Sequence, residues 1–160
     1  MPTMHALIQL LDHERRGRDA ALLGLRDAEG SVDQADLQAQ QLVAYRSEYV
    51  ERWSARFRSA AGSVALMQCY QGFMQRLEQA ITQQHAAVQL AQARLAQARR
   101  TLADNERRVA SVQKLIERRT QQEQHRAARR EQSSSDEIAL AAHVRRHAAP
   151  PATEQGDLPH

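Results

Sequence analysis

Two rows of apolar residues, spaced alternately three and four positions apart, run through most of this chain. Counting from Leu7 gives Leu7, Leu11, Glu14, Arg18, Ala21, Leu25, Ala28, Val32, Ala35, Ala39, Leu42, Arg46, Tyr49 and Trp53, and only Glu14, Arg18 and Arg46 break the row. Counting from Met67 gives Met67, Tyr70, Met74, Leu77, Ile81, Gln84, Val88, Ala91, Leu95, Ala98, Leu102, Asn105, Val109, Val112 and Ile116, broken by Gln84 and Asn105. A mean step of 3.5 residues held over about seven heptads specifies a coiled-coil seam. The helices of a globular bundle would carry a wider stripe, about three apolar positions per heptad. None of the four prolines lies between Thr3 and Ala149, so no breaker interrupts either row.

Between the rows stands Ala60-Ala61-Gly62-Ser63, in which Gly62 can end a helix and Ser63 can cap the next. The rows match in length on either side of it, which predicts an αα-hairpin with facing positions summing to about 123. Leu7 then faces Ile116, Leu11 faces Val112 and Tyr49 faces Met74. The fold class expected is all-α: a long antiparallel two-helix coiled coil over 3–132 with its turn near 60–63. At 1.5 Å per residue the rod is about 85 Å long. Past Ile116 the helical pattern continues without a stripe as an Arg- and Gln-rich extension. Ser134 with Glu137 reads as a capping box that starts a short terminal helix over 133–148, or re-caps a continuation. Residues 149–160 hold three prolines and are expected to be a disordered tail.

Composition agrees with a thin rod and removes other classes. The chain has 160 residues and only six aromatics, so a large globular core is out of reach. Net charge is +3, with 22 Lys and Arg against 19 acids, and Lys114 is the one lysine. Arg in this excess suits forked bonding to carboxylates at interfaces. A basic coiled-coil nucleic-acid binder is the alternative from another class; it is disfavoured because the Arg residues alternate with acids and no recognition module is visible. Cys69 is the single cysteine, which rules out an internal disulfide and fits a reducing compartment. No apolar run approaches 18 residues and the N-terminal charge order is the reverse of a signal peptide, so a cytoplasmic protein is expected.

Catalysis finds no support in the pattern. His143 and His147 sit one turn apart, yet no third ligand of suitable type lies near them in sequence, so no metal is expected. Cys69 lacks an evident base, Ser133–Ser135 fall in an expected loop, and no Gly-rich phosphate loop exists; neither enzyme activity nor a cofactor is expected. The aromatics carry more information, because all six lie between Tyr45 and Phe73 on the two sides of the turn. Tyr45, Tyr49, Trp53 and Phe57 recur every four residues and drift off the seam, which places Tyr45, Phe57 and Phe73 on its flanks. Folding would gather Gln38, Leu42, Tyr45, Tyr49, Phe73, Leu77 and Ala80 on one side, either as core filling or as a docking patch. It would also bring Arg15, Arg16 and Arg18 to the open end beside Arg118, Arg119, Arg126, Arg129 and Arg130, as a solvated face or a cationic shaft tip.

The segment Gln41-Leu42-Val43-Ala44-Tyr45-Arg46-Ser47-Glu48-Tyr49, then Tyr70-Gln71-Gly72-Phe73-Met74-Gln75-Arg76-Leu77-Glu78-Gln79-Ala80-Ile81, Leu115-Ile116-Glu117-Arg118-Arg119, and Glu131-Gln132 with Asp136-Glu137 resembles the flagellar export protein FliJ family over most of residues 1–140. The resemblance implies a non-enzymatic cytoplasmic component of the flagellar type III export apparatus, similar to the central stalk of rotary ATPases. It implies that the end carrying both termini enters the ring of the export ATPase hexamer, and the hairpin geometry is expected to put Arg15, Arg16, Arg18, Arg118 and Arg119 at that contact. It implies that Gln38, Leu42, Tyr45, Tyr49, Phe73, Leu77 and Ala80 dock the cytoplasmic domain of the export gate membrane protein, with Gln84 where the family pattern has His. Export chaperones are further expected partners, and contact with the inner membrane would come only through partners. The stalk of a virulence-type secretion system is a related reading.

Overall fold

The computed structural model describes residues 2–59 and 63–148. Two helices account for nearly all of them: α1, Met4–Ser59, of 56 residues, and α2, Val64–His147, of 84. No strand occurs among the described residues.

Each helix begins at a hydroxyl cap. The Thr3 Oγ1 accepts from the Ala6 N–H at 3.2 Å, and the Ser63 Oγ accepts from the Leu66 N–H at 3.1 Å. Each satisfies one of the orphan donors of a first turn. Ser63 therefore caps α2 as its sequence position predicts, while the expected Ala60–Gly62 part of the turn lies outside the described residues. At the far end the Ala148 N–H bonds to the Val144 carbonyl, and Arg145, Arg146 and His147 place cations on the carbonyl end of the helix.

The helices pack against one another in antiparallel register. Facing partners sum to between 122 and 124: Gly17 with Asn105, Gln38 with Gln84, Arg46 with Glu78, and Trp53 with Tyr70. Arg119 donates to the carbonyl of Pro2 at the open end. Every stripe position of α1 is buried or half-buried except Arg46, and every one of α2 except Met67. Arg46 instead turns outward to bond Glu78 at 3.0 Å, and the seam of α2 starts one step later, at Tyr70.

The register sets large residues against small through the middle of the rod: Ala21 opposite Leu102, Leu25 opposite Ala98, Ala28 opposite Leu95, Val32 opposite Ala91, and Ala35 opposite Val88. Alternation of this kind fills the space between two helices evenly. The deepest residues are Leu7, Leu77, Ala91, Val109 and Val112, with Asn105 the one buried polar side chain among the described residues. No large side chain there is wholly buried, as expected of a fold only two helices thick.

From Thr120 to Ala148 every residue is exposed, because α1 has ended and nothing lies opposite. This single-helix extension is about 42 Å long at 1.5 Å per residue. It runs unbroken through Ser133–Ser135. Ser134 and Glu137 thus cap nothing and no loop forms there; a helix already in progress supplies the N–H partners a cap would offer.

Candidate docking surfaces

The first candidate surface lies near the turn end, where the four-residue spacing on α1 meets Tyr70 and Phe73 of α2. The six aromatic rings form one connected cluster. Tyr49 is its hub, with ring centroids 4.1 Å from Phe73, 5.9 Å from Trp53, 6.2 Å from Tyr70 and 6.3 Å from Tyr45. Phe57 closes the cluster against Trp53 and Tyr70. Offset and edge-on contacts at these distances each add about 0.5–1.5 kcal/mol beyond area burial.

Folding brings together the seven residues anticipated on this flank, but not as equals. Leu77 is only 7% exposed and belongs to the seam, so it supports the surface from beneath. Leu42, Tyr49, Phe73 and Ala80 are half-buried, and Gln38 and Tyr45 stand at the rim, Tyr45 with 46% of its surface open. Phe73, placed by its sequence phase beside the seam, packs inward between Tyr45 and Tyr49.

Gln84 is satisfied from across the hairpin. Its Nε2 donates to the Ala35 carbonyl at 2.9 Å and to Gln38 Oε1 at 3.2 Å, which fixes Gln38 at the edge of the flank.

The second candidate surface lies at the open end. Pro2, Leu7, Leu115, Arg118, Arg119, Gln122, Glu123 and Arg126 line a groove where α1 stops and α2 continues. Its floor is apolar: Leu115 is 46% exposed beside the buried Leu7. Its walls are mostly Arg, with Arg119 held between the Pro2 carbonyl and Glu123, 3.7 Å away. Sequence reasoning missed this groove because Leu115 lies one step off the seam. The signal available was its place directly before Ile116, the last seam residue, where a partner helix runs out.

Arg15, Arg16 and Arg18 do not join that group. In the observed register they lie level with Asp104 to Arg107, about 18 Å along the rod from Arg118 at 1.5 Å per residue. Arg18 is half-buried and pairs with its neighbour Asp19 at 3.1 Å. The cationic tip is thus built by α2 alone, since the start of α1 carries no Arg before Arg15.

Among the described residues no three His, Cys, Asp or Glu side chains converge as metal ligands, and no helix is long and apolar enough to cross a membrane. Cys69 is exposed.

No curated protein and no solved structure matches the chain at a significant level. The family model described as the flagellar FliJ protein matches residues 4–148, which takes in both helices, the aromatic flank and the open end. The chain therefore belongs to the FliJ family, coiled-coil components of the flagellar protein export apparatus.

Proposed function

We propose that this protein is a cytoplasmic stalk that couples the export ATPase ring to the export gate. The observation that carries the reading is the asymmetry of the rod's two surfaces. One end presents an apolar floor walled by Arg118, Arg119 and Arg126, and the other half presents an aromatic flank edged by Tyr45 and Gln38. The two can be engaged at once because a rigid two-helix rod separates them.

At the open end, guanidinium forks bond carboxylates or helix-end carbonyls of a ring pore while their stems lie on apolar wall. The flank offers partly exposed aromatic surface, of the kind that anchors protein contacts, to the cytoplasmic domain of the gate. Export chaperones are further partners, and attachment to the inner membrane comes only through the gate and the ATPase. No step in this mechanism is catalytic for the stalk itself; it transmits and positions.

The test is ATP hydrolysis by the purified export ATPase with the protein added. Stimulation is expected, and its loss in R118E/R119E is expected. A protein that neither copurifies with the ATPase nor changes its turnover would remove the stalk reading.

A further inference from the structure

The free end of α2 carries a face that the hairpin does not use. Past Ile116 the seam positions are polar or charged: Arg119, Glu123, Arg126, Arg130, Ser133 and Glu137. The same count then reaches Leu140, Val144 and His147. With His143 these make the spacing i, i+3, i+4, i+7, which lies on one side of a helix. Leu140 is 63% and Val144 55% exposed, and no described residue of the chain covers them. By helical phase Arg145 and Arg146 fall off this face.

His143 and His147 are already in contact, their ring centroids 4.1 Å apart. The Nδ1 of His147 lies 3.1 Å from the His143 carbonyl. In the tautomer that donates this bond, Nε2 of His147 keeps a free lone pair, the form in which imidazole binds metals. Two such rings one turn apart form a two-point chelate for a borderline-soft dication. Zinc takes four ligands in a tetrahedron, and a described chain supplies only two here. Asp136, two turns back on the same face, is engaged with Gln132 at 3.1 Å.

We propose that Zn²⁺ joins two copies of this chain at the free end of α2, with His143 and His147 of each copy supplying the four nitrogens. The second copy is the occupant the chemistry asks for, because half a tetrahedral site is completed by its own duplicate. Leu140 and Val144 bury against their counterparts, and the Arg145 and Arg146 side chains stay outside the contact, so like charges are not forced together. Each imidazole gives Zn²⁺ a nitrogen lone pair in place of a bound water, and any proton on that nitrogen passes to solvent. The contact lies away from both docking surfaces and does not depend on the stalk reading.

The test uses the whole chain stripped of metal, with sedimentation equilibrium measured before and after half an equivalent of ZnCl₂. The expected result is a rise in mass from 18.1 kDa to about twice that value, one zinc bound per two chains, and reversal by EDTA. H143A/H147A should abolish the shift with unchanged helicity, since both rings sit on an exposed helix surface. L140A/V144A should raise the zinc concentration needed. A mass that stays monomeric at saturating zinc overturns the proposal, as does a zinc-driven dimer that persists in H143A/H147A through other histidines.

Discussion

Asn105 Oδ1 lies 3.1 Å from the point where a Cβ on Gly17 would stand, so the one buried polar side chain of the seam occupies space that glycine leaves open on the facing helix. The Asn105 amide donates to the Thr101 carbonyl of its own helix at 2.9 Å, leaving its oxygen toward α1. At Gly24 and Gly30 a Cβ would meet nothing within 4 Å. Three glycines of one helix thus separate by cause. Replacing Gly24 or Gly30 with Ala should stabilise the protein by about 0.4–1 kcal/mol through helix propensity and a less flexible unfolded chain. Gly17→Ala gains the same propensity but must displace Asn105 by a few tenths of an ångström, so its melting temperature should lie below that of either other variant. Equal melting temperatures for all three would show that Asn105 and Gly17 are not packed as described.

The seam and the extension should respond oppositely to the same substitution. Leu77 is 7% exposed and Leu140 is 63% exposed, though both fall at seam phase. Leu77→Ala should cost about 2–5 kcal/mol, the usual penalty for truncating a buried leucine. Leu140→Ala in the metal-free protein should stay within about 0.5 kcal/mol of the parent. Denaturant melts followed by circular dichroism measure both, and a large loss for Leu140→Ala without metal would mean that the end of α2 is covered in solution.

The aromatic flank contains residues that hold the hairpin and a residue free to dock. Phe73 touches Tyr49 at 4.1 Å between centroids, and so Phe73→Ala should lower stability by about 2 kcal/mol or more as well as any gate affinity. Tyr45 stands at the rim and meets Tyr49 and Phe73 only at 6.3 Å between centroids, so Tyr45→Ala should cost less stability than Phe73→Ala while weakening binding to the gate's cytoplasmic domain. Calorimetry for binding beside thermal melting for stability separates the two. A Tyr45→Ala variant that melts early and binds normally would make the whole flank core filling.

How much of this was legible beforehand depends on whether a feature is periodic. The two stripes and their antiparallel register follow from spacing that repeats many times, and single breaks such as Asn105 and Gln84 do not erase it, while the Ser63 cap follows from its place after Gly62 between the stripes. The partition of the flank into buried Leu77 and exposed Tyr45 was not legible, because a ring drifting off a 3.5-residue seam can turn either way until its neighbours are placed. Phe73 turned inward to fill space beside Tyr49. Arg15, Arg16 and Arg18 fall short of the tip for a different reason: nearness to the N-terminus does not fix a residue's level on the rod, and register sets these three level with Asp104–Arg107. The continuous helix through Ser133–Ser135 was hidden by a local capping pattern that a propagating helix overrides.

That displacement along the rod yields a two-site test of the proposed ATPase contact. Arg118 and Arg119 wall the open-end groove, and Arg15 and Arg16 are exposed about 18 Å further along by helical rise. A charge on an exposed surface this far away is largely screened at physiological salt, where the Debye length is about 8 Å. If a pore grips the tip of the rod, R118E/R119E should abolish stimulation of ATP hydrolysis, while R15E/R16E should leave most of it. If the pore swallows the rod more deeply, both pairs lie inside it and both reversals should abolish stimulation. Each variant carries the same change of four charges, so a general electrostatic effect cannot mimic a difference between them. Far-ultraviolet circular dichroism on both proteins verifies that the hairpin is intact before the rates are compared. Undiminished stimulation in R118E/R119E would mean that the Arg-walled groove is a solvated face and that the ATPase contact lies elsewhere on the rod.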